Sequence, residues 1–76
     1  MRPKIKNEKF FYLAIPERVE KVVILILRNF DATPTEAISA FYASPTYRKL
    51  EEIRTGFWKK SPKFLYQDFL TSTGRA

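Results

Sequence analysis

The densest chemistry in the chain is Arg54-Thr55-Gly56-Phe57-Trp58-Lys59-Lys60-Ser61-Pro62-Lys63, four bases and two large aromatics with no acid among them. Such a run suits a nucleic acid, because cations neutralise phosphates while aromatic faces stack on bases. The same residues have a plainer use. The only tryptophan of so short a chain fits as a plug between helices, with Lys59, Lys60 and Lys63 as a solvated rim around it. The nucleic-acid reading also draws on Arg2, Lys4 and Lys6 in a basic N-terminal arm, residues 1–9, and on Arg48 and Lys49 near the start of a helix. Recognition helices touch base edges near their start. Against a helix-turn-helix, only Ala43-Ser44 separates the two helices concerned, and Glu51 and Glu52 would carry negative charge towards the groove.

Catalytic chemistry is harder to assemble. The 76 residues include no histidine and no cysteine, which removes imidazole acid–base work, thiol nucleophiles, disulfides and the usual zinc ligands. A hydroxyl such as Ser61 or Thr55 would have only lysine or carboxylate partners to activate it. Gly56 and Gly74 are the only glycines, so no glycine-rich phosphate loop exists. The adjacent Glu51 and Glu52 point in different directions on a helix. The expectation is a non-enzyme with no cofactor, no bound metal and no small-molecule substrate.

The elements that must position these residues are helical. Thr33-Pro34-Thr35-Glu36, Ser44-Pro45 and Ser61-Pro62 each place a hydroxyl at a helix cap and proline at the first helical position. There the hydroxyl accepts from an orphan amide, and proline's missing N–H would have had no partner anyway. Glu36 completes a capping box with Thr33. The spacing predicts helices from about Pro16 to Phe30, Pro34 to Ala43, Pro45 to Arg54 and Pro62 to Thr71, with residues 10–15 either a short strand or a helical lead-in. In the first, Val19, Val22, Val23, Ile26 and Phe30 make one apolar stripe, while Ile24 falls among Glu17, Glu20, Lys21 and Arg28 on the polar side. Either the β-branched run is a buried strand, or Ile24 marks an apolar spot covered by another segment or a partner. The favoured reading is all-α: a small bundle of about four short helices over residues 10–71, with the basic arm before it and a frayed tail over 72–76.

Charge and length add to this. The formal charge is +6, concentrated towards the two ends, where four bases face one acid over residues 1–9. The longest apolar run, Val22 to Leu27, is six residues, far short of the ~20 that cross a bilayer. Without cysteines or an apolar leader the expected compartment is cytoplasmic. Seven Phe, four Tyr and one Trp are more rings than so small an interior hides, so apolar surface is expected to remain for a protein partner or a second copy. Ile24, Tyr42, Tyr47 and Trp58 are the candidate contacts.

Glu36-Ala37-Ile38, Phe41-Tyr42-Ala43-Ser44-Pro45-Thr46-Tyr47, Leu50, Thr55-Gly56-Phe57-Trp58-Lys59-Lys60-Ser61-Pro62 and Leu65-Tyr66 together carry a resemblance over residues 19–70. The pattern resembles one in short bacterial proteins of unknown function that are sometimes encoded beside toxin-like partners. The resemblance implies a bacterial or phage origin and a helical accessory or antitoxin-like role, and it supplies no catalytic or binding residues. The leading expectation is therefore a protein–protein interaction module, with a small basic nucleic-acid binder as the alternative.

Overall fold

A long first helix organises everything else. The structure, a computed structural model, describes the backbone of residues 2–75 and the side chains of residues 11–75. Helix α1 runs Arg2–Asn29, α2 Pro34–Tyr42, α3 Pro45–Glu51 and α4 Pro62–Ser72. Two 3₁₀ turns, Ile53–Thr55 and Phe57–Lys59, connect α3 to α4. Among the described residues there is no strand, so the Val22–Leu27 run is helical and the strand alternative falls.

All three expected caps form. Thr33 and Glu36 exchange their capping-box bonds, at 2.9 Å from the Thr33 amide to Glu36 Oε1 and 3.2 Å from the Glu36 amide to Thr33 Oγ1. The Tyr47 amide donates to Ser44 Oγ at 3.2 Å, and the Phe64 amide to Ser61 Oγ at 3.1 Å. Ser44 is buried and its hydroxyl donates to the Phe41 carbonyl at 2.6 Å, and among the described residues no buried side-chain polar atom lacks a partner.

The expected stripe of α1 is the floor of the core. Val19, Val22, Val23 and Ile26 pack against Ala37 and Phe41 of α2, Leu50 of α3, and Leu65, Tyr66 and Phe69 of α4. Phe41 and Phe69 are fully enclosed and meet edge-to-face at 5.9 Å. Truncating either to alanine costs about 3–5 kcal/mol, a large share of what so small a domain holds.

Three boundaries differ from the sequence reading, the first for a long-range reason and the other two for local ones. Helix α1 does not begin at Pro16; it passes through that proline, although the ring deprives the Tyr12 carbonyl of its amide donor. Phe11, one turn upstream, is buried against Trp58 with ring centroids 5.8 Å apart, and that contact holds the earlier turns in line. The first helix is therefore not short. Helix α3 stops at Glu51 rather than near Arg54, because the Thr55 hydroxyl takes up the Glu52 carbonyl at 2.8 Å and the Lys49 carbonyl as well. Gly56, at φ +73°, then ends the first 3₁₀ turn. At the other end, residues 73–75 do not fray away from α4. The Gly74 amide reaches the Thr71 carbonyl at 3.3 Å and the Arg75 amide reaches the Leu70 carbonyl at 2.7 Å. With Gly74 at φ +76° this is a Schellman motif, and Arg75 lies over the Phe69 ring.

Among the described residues no helix is long and apolar enough to cross a membrane.

Candidate interaction surface

The core stripe of α1 leaves its outer side and one flank uncovered. Between α1 and α2 lies an open groove of about 380 Å³, lined by Pro16, Val19, Val23 and Ile24 on one wall and Ile38 and Tyr42 on the other. Glu20 is the one charged residue of its lining. Ile24, Ile38 and Tyr42 are exposed, and further along α1 Tyr12 and Leu13 are 68% and 65% exposed. Single exposed apolar residues are ordinary; several sharing one flank of a helix pair are not.

Ile24 and Tyr42 therefore line the same groove. Tyr47 stands beside them half-buried, edge-on to Tyr42 at 4.6 Å and to Phe41 at 5.8 Å. Burial first, then the neighbouring Glu51 carboxylate, raises its phenol above the ordinary 10.0. Trp58 is not a free contact. It is half-buried, its indole N–H donates to the Ile53 carbonyl at 3.0 Å, and Phe11 meets its ring at 90°. Arg18 reaches across from α1 to bond the Lys60 carbonyl at 2.8 Å, fastening the same turn. The plainer reading of Trp58, a plug at the foot of α1, is the one the geometry supports.

The bases separate into tied and free. Lys49 is tied: its ammonium pairs with Asp68 at 3.3 Å and lies 4.9 Å from the Phe57 ring centre. Thr46, which a recognition helix would point outwards, is fully buried and donates to Asp68 Oδ2 at 2.7 Å. The front of α3 is thus fixed to α4 through Thr46 and Lys49. Arg48 is exposed, and Arg54 has only a loose 3.8 Å contact with Glu52. Lys59 and Lys60 are exposed over the rings of Trp58 and Phe64, each 5.2 Å from the ring centre. Lys63 joins Lys21 and Arg28 around a second groove, between α1 and the start of α4, whose other lining is Ile24, Leu25 and Pro62. Ile24 stands on the ridge between the two grooves. The side chains of Arg2, Lys4 and Lys6 lie outside the described residues.

Sequence reasoning missed Leu13, Pro16 and Ile38 as surface residues. Leu13 and Ile24 are eleven residues apart, three turns on one helix face, so extending α1 upstream of Pro16 would have found the pair. Among the described residues no cluster of three or more acidic groups is placed to hold a metal ion.

No protein-family model, curated protein sequence or solved structure matches this chain.

Proposed function

We propose that the chain is a non-enzymatic interaction module, an antitoxin-like or accessory protein of the kind the sequence resemblance implies, which binds another protein chain through the outer side of α1 and its groove with α2. The observation that carries this reading is the run of exposed apolar side chains Tyr12, Leu13, Ile24, Ile38 and Tyr42 along one helix pair. A cleft between two helices, apolar at its base, is the shape that takes a third helix, read by anchors one turn apart. The test compares the wild type with an Ile24→Glu/Ile38→Glu/Tyr42→Glu variant in affinity capture from the native host, with light scattering on both. Because the three residues are exposed, the variant keeps its circular dichroism and loses association. A wild type that captures nothing and stays a lone monomer ends the reading, as does a variant that associates as well as the parent.

A second reading has its own observation. Lys21, Arg28 and Lys63 surround one groove that has no acid in its lining, with exposed Lys59 and Lys60 on the chain leading into α4. A phosphate backbone laid along that line would be held by charge, with affinity falling steeply as salt returns counterions to the phosphates. Titration of random duplex and single-stranded DNA at two salt concentrations tests it, and absent or salt-insensitive binding removes it.

A further inference from the structure

The register of α1 names an occupant for its outer side. Within the helix Arg2–Asn29, positions 6, 9, 13, 17 and 20 recur at intervals of three and four, so they share one stripe. In order they are Lys6, Lys9, Leu13, Glu17 and Glu20. Measured from Leu13, the bases stand four and seven residues towards the N-terminus, and the acids four and seven residues towards the C-terminus. A two-fold axis at Leu13 therefore places position 9 against Glu17 and position 6 against Glu20, and does so twice. Resting on the interaction-module reading, we propose that the chain pairs with a second copy of itself, α1 against α1, antiparallel about Leu13.

Three further observations agree. The core side of α1, with Val19, Val22, Val23 and Ile26, is buried, whereas Leu13, Glu17 and Glu20 are exposed, so the described part of the stripe is open to a partner. Glu17 already touches Arg18 at 2.8 Å, but that surface bond uses one carboxylate oxygen and leaves the other open. Second, at 28 residues α1 extends about 42 Å, nearly the 46 Å length of the molecule. Helices α2, α3 and α4, at 9, 7 and 11 residues, are each too short to accompany it. A helix running past its own bundle gains from a neighbour, since isolated helical turns are marginal in water. Third, the pattern excludes the wrong arrangement. Parallel pairing in register would set base against base and acid against acid, whereas an isologous antiparallel contact satisfies all four pairs.

Exchange of charge in the full-length chain tests this. Sedimentation equilibrium and light scattering would compare the wild type, a Lys6→Glu/Lys9→Glu variant, a Glu17→Lys/Glu20→Lys variant, and an equimolar mixture of the two variants. Circular dichroism would confirm that each variant stays helical. In either variant alone every cross-pair becomes like-charged, while in the mixture every pair is again opposite. The expected result is a wild-type dimer that weakens with salt, as the screening length falls from ~10 Å at 0.1 M to ~3 Å at 1 M. Each variant alone is expected to be monomeric, and dimer to return on mixing. A wild type that remains monomeric overturns self-pairing, and the capture experiment with Ile24, Ile38 and Tyr42 then decides separately whether another protein is the partner. A wild-type dimer that survives in both single variants, or variants that fail to pair on mixing, overturns the α1 stripe as the contact.

Discussion

Replacing Thr46 by valine removes one hydroxyl from the seam between α3 and α4 and changes little else. Thr46 has no exposed surface, and its hydroxyl donates to Asp68 Oδ2 at 2.7 Å with Ser72 Oγ 3.3 Å away. Valine keeps the branched shape, so almost no cavity opens. What is lost is a hydrogen bond to a charged acceptor, which is worth about 1.5–3 kcal/mol. The Asp68 side chain is 23% exposed, so water partly replaces the lost donor and the lower end, about 1.5 kcal/mol, applies. For a domain of this size that lowers Tm by roughly 6–12 °C. The competing explanation is that the seam is held by the Lys49–Asp68 ion pair. That pair is weaker, because Lys49 is 41% exposed and half-solvated pairs contribute about 1 kcal/mol or less. Thermal and urea unfolding of Thr46→Val, Asp68→Ala, the double variant and Lys49→Met separates the two. The hydroxyl predicts that Thr46→Val costs more than Lys49→Met and that the Thr46/Asp68 cycle is non-additive. A Thr46→Val Tm within about 2 °C of the parent, or additivity within about 0.5 kcal/mol, refutes the reasoning.

Phe11→Ala exposes the edge of the single tryptophan, so Trp58 emission shifts to the red and the helicity of α1 falls; unchanged emission means that Phe11 does not hold the upstream turns. Gly56→Ala meets no atom within 4 Å, so its cost is the left-handed backbone alone, about 1–2 kcal/mol by denaturant unfolding. The Tyr47 phenol, raised by burial and by Glu51, ionises above the ordinary 10.0 in an ultraviolet pH titration. With the folded value above the unfolded one, its contribution to stability is complete below pH 10.0 and is lost as pH climbs through the raised value. Glu51→Gln lowers the Tyr47 titration towards the ordinary 10.0, and an unmoved titration excludes the carboxylate as a cause.

Local chemistry was legible in the residues, and contacts between distant residues were not. Each hydroxyl–proline start is decided within four residues, so the N-terminal ends of α2, α3 and α4 are where the sequence puts them. The stripe Val19, Val22, Val23, Ile26 reads directly as a core face, and the oddly placed Ile24 does stand in the open. The passage of α1 through Pro16 depends on a ring 47 positions away, Trp58 against Phe11. Local propensity sees only the proline and ends the helix there. Lys49 looked free for the same reason. Its partner Asp68 is 19 residues on, and nothing near Lys49 announces that its charge is already engaged. Among the apolar candidates, Tyr42 and Ile24 needed only the helix period, whereas the half-burial of Trp58 needed the fold.

The order of elements along the chain has a consequence for biosynthesis. Helix α1 is completed at Asn29, yet the last segment that covers its core side, α4, is not complete until Ser72. At the usual pace of ~5–20 residues per second the ribosome needs roughly two to nine seconds to supply it. For that interval Val22 and Ile26 have no lasting cover, and a nascent chain stalled before Pro62 would bind a dye that reports exposed apolar surface. Translation speed between Asn29 and Ser72 thus sets how long the first helix waits in the company of chaperones.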